Sequence, residues 1–206
     1  MLKNTLIVTS VLLLGLGSMG AFWNTQDAPV PSEPVAKSKM FEVDAVHSTA
    51  IFKVHHLGAG RFYGRFNDVT GDIEYTQGSE HGLSLDITID INSVDTANEQ
   101  LDNHLKSMDF FNAVEFPTMT FKSKEATLLR PGFYQVKGTI QMHGVSCPLT
   151  IELEETGLAM GRSKERVGFE TMFTLKRTDF DMNYGVERGA LGDEVGVIVS
   201  LEAIAQ

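Results

Sequence analysis

The sequence predicts an antiparallel all-β domain with a single short helix. Short runs of alternating apolar and polar residues follow one another at spacings of roughly ten residues, a pattern typical of sandwiches and barrels. Helical periodicity is convincing in only one segment. Because each predicted strand has one apolar face, the strands must either stack as two sheets or close into a barrel, and closure would remove exposed strand edges.

The first residues have the anatomy of a secretory signal. One lysine precedes an apolar stretch from Leu6 to Leu16, and small residues follow it. Because the stretch is shorter than the roughly 20 apolar residues that span a bilayer, we predict a signal peptide over residues 1–20 and no membrane span after its cleavage. An uncleaved anchor is the alternative. Residues 21–39 are predicted to form a disordered linker, and residues 40–206 the folded domain.

The predicted strands are identified by rows of residues that share one face. In chain order the rows are Phe52, Val54 and His56; Phe62, Gly64 and Phe66; Leu83, Leu85, Ile87, Ile89 and Ile91; Met119 and Phe121; Tyr134, Val136, Gly138, Ile140 and Met142; Leu149, Ile151 and Leu153; Val167, Phe169, Thr171, Phe173 and Leu175; and Val195, Val197, Val199, Leu201 and Ala203. Turns are expected at Gly58 to Gly60 and at His143-Gly144. On the inward rows, Gly64 and Gly138 indicate a bulge, a tight barrel corner or room for a guest.

The segment between the third and fourth rows contains the predicted helix. Thr96 is expected to cap it, with Glu99 reaching back to the amide of the cap. Leu101, Leu105 and Met108 recur at helical spacing and form one apolar stripe. The helix should therefore lie against the sheet.

Composition and charge exclude several classes of protein. The net charge of −10 and a pI near 5.0 argue against a broad basic face that would bind nucleic acid or an anionic membrane surface. Cys147 is the single cysteine, so an intrachain disulfide is impossible. Stability must therefore come from the packing of one domain.

Histidines and aspartates are the candidates for chemistry. His55 and His56 are adjacent on a strand and point to opposite faces, and no HExxH or Cys/His cluster occurs. Asp95, Asp102 and Asp109 recur every seven residues and could act as acid and base, but roles near helix ends and in turns suit them better. We therefore predict no catalytic residues, no metal and no cofactor. The alternatives are a small secreted metal-dependent hydrolase and a solid-core barrel that acts through protein contacts.

Ordered motifs cover nearly the whole domain, from about Phe41 to Ile204. They are His47-Ser48 with Phe52, Val54, His56, Leu57 and Gly58; Gly64-Arg65-Phe66; Ser93-Val94-Asp95-Thr96 followed by Asp102, His104-Leu105-Lys106-Ser107 and Asp109-Phe110-Phe111; Phe116-Pro117; Thr120-Phe121 with Ser123; Gly138 with His143-Gly144-Val145 and Pro148; and Arg177 with Asp179-Phe180. Together they resemble the YceI-like proteins, bacterial envelope proteins that bind polyisoprenoid lipids. Where that family commonly has glycine after the phenylalanine of the last motif, this chain has Asp181-Met182.

The resemblance implies a fold and a function. The fold is a lipocalin-like antiparallel β-barrel of about eight strands, with one short helix between central strands. The function is non-enzymatic transport or storage of an isoprenoid lipid, either a quinone or a prenyl-diphosphate-like lipid, in the periplasm. Members of the family are frequently dimers, so the resemblance also allows a homodimer.

Two sets of residues are candidates for the lipid site. We expect the apolar tail to be lined by inward side chains, since burial is worth about 0.8 kcal/mol per methylene. These are Phe52, Val54, Phe62, Phe66, Leu85, Ile87, Ile89, Phe110, Phe121, Val136, Ile140, Phe169 and Phe173. A charged head group would need polar partners at the barrel mouth, and the candidates are Arg61, Arg65, Asn98, Asp102 and His104.

Overall fold

The computed structural model describes residues 37–206; the predicted signal peptide and nearly all of the predicted linker lie outside them. The described residues form one antiparallel sheet of eleven strands. The strands are β1 (Lys39–Val43), β2 (Thr49–His56), β3 (Gly60–Phe66), β4 (Val69–Tyr75), β5 (Leu83–Asp90), β6 (Val94–Asp95), β7 (Thr118–Arg130), β8 (Phe133–Met142), β9 (Val145–Met160), β10 (Glu165–Lys176) and β11 (Leu191–Ala205). The helix α1 spans Glu99–Lys106, and short 3₁₀ helices span Ile91–Ser93 and Arg177–Phe180.

The sheet closes on itself, which confirms the barrel over the stacked sandwich. β11 pairs with β2 along Leu191–Ser200 and with β1 along Ala203–Ala205. β3 pairs with β2, and β4 pairs with β1. β1–β2 and β3–β4 therefore each fill one position in the wall, and with β5 and β7 to β11 they make a closed eight-strand barrel. The rows identified in the sequence omitted β1, β4 and the two-residue β6.

A serine side chain bridges the break between β1 and β2. Ser48 Oγ accepts a hydrogen bond from the amide of Glu202 at 3.0 Å and lies 3.3 Å from the carbonyl of the same residue, to which it donates. The amide of Asp44 also donates to that carbonyl, at 2.7 Å. Because the serine hydroxyl substitutes for backbone groups, the wall bends here without losing its pairing with β11.

Two details of the helix prediction were wrong. The cap is Asn98, whose Oδ1 accepts from the amide of Leu101 at 3.0 Å, whereas the Thr96 hydroxyl donates to Asp102 Oδ1 at 2.6 Å. Met108 is 82% exposed, since the helix ends at Lys106 before the predicted stripe is complete. Among residues 37–206, no helix is long and apolar enough to cross a membrane.

The two ends of the barrel differ. At one end lie α1, the segment 107–117, the β2–β3 turn and the β10–β11 connection. We call this end the mouth. At the opposite end, the β4–β5, β7–β8 and β9–β10 connections surround fully buried side chains of the core. We call that end the floor.

Candidate functional site

A cavity of about 600 Å³ lies inside the barrel. Its wall is almost entirely aliphatic and aromatic, and it reaches from the mouth to the layer of Leu85, Leu153 and Leu201. Of the side chains expected to line it, the following do: Phe52, Val54, Phe62, Phe66, Leu85, Ile87, Ile89, Phe110, Phe121, Ile140 and Phe173. The structure thus brings together residues of β2, β3, β5, β7, β8, β10 and the segment after α1.

Val136 and Phe169 do not line the cavity. Both are inward on their strands, as their rows indicate, but both are completely buried in the core. The ring of Phe169 lies 5.3 Å from that of Tyr75, in an edge-to-face arrangement. Their strands continue past the cavity into its floor, so an inward position alone does not place a side chain on the lining.

The floor is an aromatic layer fixed by hydrogen bonds. The rings of Tyr75 and Tyr134 meet edge to face at 6.2 Å, and Phe169 packs against Tyr75 from another side. The Tyr75 hydroxyl donates to Glu155 Oε2 at 2.6 Å, while the Tyr134 hydroxyl lies 3.5 Å from that of Tyr75. Burial and the neighbouring Glu155 carboxylate raise the pKa of Tyr75, so it stays a neutral donor.

Two inward glycines make room for phenylalanine rings that lie against the wall. A Cβ on Gly64 would lie 2.3 Å from Cζ of Phe52, and one on Gly138 would lie 2.6 Å from Cζ of Phe121. Because each ring occupies the space above a glycine, it projects less far into the lumen. The glycines therefore enlarge the cavity indirectly, which is the third of the roles that the sequence left open. Gly138 also has the first role, because it pairs with Ser123 at a register shift of β7 and a Cβ there would lie 2.5 Å from the carbonyl oxygen of Lys122.

Three rings join two chain segments across the mouth. His104 on α1 and Phe110 just after it have ring centroids 5.0 Å apart. Tyr184, from the β10–β11 connection, lies 5.1 Å from each of them. His104 Nε2 is also hydrogen bonded to Asp109 at 2.9 Å. The mouth is thus covered by a small aromatic cluster with polar edges.

The two arginines expected to meet a head group do not line the cavity. On β3 they alternate with the inward residues Phe62 and Phe66, so their side chains lie on the outer face of the barrel. Arg65 pairs there with Asp95, with 3.2 Å between Nη2 and Oδ2. Arg61 is exposed. The glycine turn lies near the mouth, as expected, but the two-residue period of the strand carries both charges away from it.

Of the three polar residues on the predicted helix, only His104 lines the cavity. Asn98 caps α1, and Asp102 accepts hydrogen bonds from both the amide and the hydroxyl of Thr96 at 2.8 and 2.6 Å. The Asn98 amide and the Asp102 carboxylate therefore stabilise the N-terminal end of α1. An amide and a carboxylate engaged in this way are poorly placed to bind a ligand.

Arg177 lines the cavity and was absent from the predicted site. Its side chain is only 6% exposed, and it donates to the carbonyls of Gly192, Met182 and Tyr184 at 3.0, 3.4 and 3.2 Å. Burial lowers its pKa, an effect that the charge of Asp193 partly opposes. Its position two residues after Leu175, in phase with an inward row, is the sequence pattern that could have identified it.

One cluster of possible metal ligands occurs among residues 37–206, and it lies away from the cavity. Asp44, His47 and Glu202 bring carboxylate and imidazole atoms together. Arg166 Nη1 donates to Asp44 at 2.9 Å and also to Glu202. Hydrogen bonds from His47 and Arg166 lower the pKa of Asp44 to about 2. A guanidinium therefore already supplies the positive charge, and the cluster joins β1, β10 and β11.

Comparison with known proteins identifies relatives along nearly the whole barrel. The family model described as "YceI-like domain" matches residues 41–203. A UPF0312 protein of Yersinia enterocolitica is 33% identical over 193 residues, which cover 93% of this chain and 96% of the relative. The crystal structure of a Campylobacter jejuni YceI protein is 33% identical, with a TM-score of 0.67 over 74% of this chain and 90% of that one.

A more distant solved structure has the same fold. It is a polyisoprenoid-binding domain from Saccharophagus degradans, with a TM-score of 0.64 at 18% identity. The alignment covers 81% of this chain and 98% of that domain. At this identity the likeness concerns the barrel architecture.

Proposed function

The chain belongs to the YceI-like family, and from that membership we propose that its barrel binds an isoprenoid lipid, without catalysis, as a carrier or store in the bacterial envelope. The candidate ligands are quinones and prenyl phosphates. The predicted signal peptide would deliver the protein to the periplasm, where a long isoprenoid needs shielding from water. The polyisoprenoid-binding domain that shares this fold supports the choice of ligand class.

The observation that carries the proposal is the size and dryness of the cavity. About 600 Å³ is within the range of small-molecule sites. At about 30 Å³ for each group of the size of a water molecule, it accommodates on the order of 20 non-hydrogen atoms. That corresponds to about four isoprene units, each worth several kcal/mol of transfer free energy at about 0.8 kcal/mol per methylene. Water gains little in such an apolar space, so a hydrocarbon tail is the favoured occupant.

The distribution of polar groups along the cavity indicates how a bound lipid would be oriented. His56, His104, Arg177 and Tyr184 are the polar lining residues contributed by the elements of the mouth. Among residues 37–206, two further polar residues line the cavity: Thr120 near the start of β7, and Thr171 near the floor, whose hydroxyl already donates to a backbone carbonyl at 2.7 Å. The tail would therefore point toward the floor and the head group toward the mouth.

The lining favours binding over the two alternative functions. It includes no aspartate, glutamate, serine, cysteine or lysine among the described residues, so it offers no carboxylate pair for acid and base roles. A solid-core barrel would leave no space, whereas this one leaves about 600 Å³. The open, apolar lumen therefore supports binding more than it supports a hydrolase or a solid core.

A pair of tryptophan substitutions on one strand tests the proposal. Val199 lines the cavity, and the adjacent Ile198 faces outward on β11. Val199→Trp should fill the lumen and remove co-purifying lipid in native mass spectrometry with lipid extraction, while Ile198→Trp keeps it. Equal lipid content in the two folded variants, or no isoprenoid in the wild-type protein isolated from its own envelope, would contradict the proposal.

A further inference from the structure

We propose that Arg177 anchors an anionic head group, a phosphate or a carboxylate, on the lipid bound in the barrel. This inference rests on the proposed function and narrows its ligand class. It assigns a role to a residue that lines the cavity at the mouth, where a head group would lie if the tail points toward the floor.

The burial of Arg177 is the first argument. The residue is only 6% exposed. It continues the inward row of β10 that includes Phe173 and Leu175, both of which line the same cavity. A charge in such a place loses most of its hydration, and burial lowers the pKa of the guanidinium accordingly. An acceptor that enters the cavity would recover part of that lost interaction.

The lack of a carboxylate partner is the second argument. Within residues 37–206, Arg177 forms no salt bridge, whereas Arg65, Arg130 and Arg166 each do. The charge of Asp193 does act on it, but both oxygens of that carboxylate are bonded to Thr178, at 3.0 Å from the amide and from the hydroxyl. Among the described residues its direct partners are therefore neutral: three backbone carbonyls and the ring of Phe110, whose centroid lies 5.9 Å from Cζ.

The number of donors is the third argument. A guanidinium has five N–H groups, and three carbonyls accept from it, one each at Nε, Nη1 and Nη2. Each terminal nitrogen has two N–H groups and contacts one carbonyl, so both nitrogens retain donor capacity for a ligand. Donation through both nitrogens suits the paired oxygens of a phosphate or carboxylate. The carbonyl contacts meanwhile hold the fork in position before the ligand arrives.

A set of ligands that share one tail tests the inference. The probes are a four-unit prenyl monophosphate, the carboxylic acid of the same tail and the corresponding alcohol, each titrated into delipidated protein. The wild-type protein should bind the two anions roughly 10- to 100-fold more tightly than the alcohol, as expected for a charge-assisted hydrogen bond. Comparing the phosphate with the carboxylate identifies which anion the site prefers.

The variants separate the head group from the tail. Arg177→Met should reduce the anion-to-alcohol affinity ratio to near one while the alcohol still binds, and Arg177→Lys should keep part of the preference. Arg65→Met, on the outer face, is the control and should leave the ratio unchanged. Removing Arg177 also removes its contacts with three carbonyls. A loss of affinity that is equal for all three ligands leaves the anion-to-alcohol ratio unchanged.

Three results would overturn the inference. If the wild-type protein binds the alcohol as tightly as the anions, or if Arg177→Met retains the preference, Arg177 is not the anchor although the lipid-binding proposal stands. If no ligand of the series binds to delipidated wild-type protein, the proposed function fails and this inference fails with it. Should Arg177→Met not fold, the wild-type ratio and Arg177→Lys decide the matter.

Discussion

The floor and the mouth of this barrel use the same kind of residue for opposite purposes. At the floor, Phe41, Tyr134 and Phe169 have 1% exposure or less and fill the lumen completely. Toward the mouth, Phe52 and Phe121 are only partly buried, and each lies over a glycine at the edge of a void. The two ends differ in the residues that lie against these rings. Where a ring lies against a glycine, it stays close to the wall and the lumen remains open. Where it packs against a second large ring, the lumen is filled.

The comparison indicates how a hollow protein remains stable. An unfilled cavity forfeits dispersion contacts along its lining, which costs free energy. The floor offsets that loss with tight aromatic packing and a Tyr75–Glu155 hydrogen bond. Outside the barrel, the cluster of Asp44, Arg166 and Glu202 joins β1, β10 and β11 near the same end. One end therefore supplies the stability that allows the other to stay empty.

The largest expected effect comes from truncating a ring at each end. Phe169→Ala should lower the free energy of unfolding by about 3–5 kcal/mol, because it leaves a cavity in a filled layer. Phe173→Ala, on the cavity lining, should cost at most about 2 kcal/mol, since a ring that faces a void loses fewer contacts. Urea unfolding monitored by circular dichroism measures both. Equal losses would show that the two ends are packed alike.

The length of the ligand tail provides the next comparison. Affinity should rise at least about tenfold with each isoprene unit while the added unit is buried in the lumen. It should level off beyond about four units, where the floor prevents deeper insertion. Titration of prenyl alcohols of increasing length measures this dependence. A steady rise well past that length would mean that the floor yields or that the tail binds elsewhere.

A smaller effect, at the floor end, should be present at neutral pH and lost in acid. The folded-state pKa of Asp44 is lowered from 3.8 to about 2, so its stabilising contribution is full above 3.8 and is lost as the pH falls through 2. Asp44→Asn should therefore lose about 1 kcal/mol at neutral pH, since the exposure of Arg166 screens the pair. The difference from the wild type should shrink below pH 3.8 and vanish below pH 2. A constant difference at every pH would exclude the ionised carboxylate as its source.

Much of the fold follows from local pattern. Rows such as Phe169 to Leu175 alternate without interruption, so the period of two specifies both the strand and its inward face. β4 was missed although Val69, Ile73 and Tyr75 are buried with the same period. Gly71 interrupts that row, and it is required because a Cβ there would lie 2.1 Å from the carbonyl oxygen of Asp86 on β5.

The depth of each residue along the barrel could not be predicted in the same way. Periodicity indicates that Val136 and Phe169 face inward, but only the stagger of the strands places them below the cavity. The two arginine candidates lie outside the cavity for a related reason. The period of β3 had already assigned Arg61 to the outer face, whereas closeness to the glycine turn suggested the mouth. Predicting Arg177 from the sequence would have required two facts together: its position is in phase with the inward row of β10, and β10 ends at the mouth.

The most direct test of the account is a methyl NMR titration of delipidated protein with a four-unit prenyl ligand. Contacts with the ligand should perturb Ile87 and Leu201, deep in the lumen, and Leu101 at the mouth. Ile73 below the floor and Ile198 on the outer face should be unaffected. Perturbations confined to the outer face, with silent methyl groups at Ile87 and Leu201, would contradict the claim that the mouth end of the barrel is kept empty for a lipid tail.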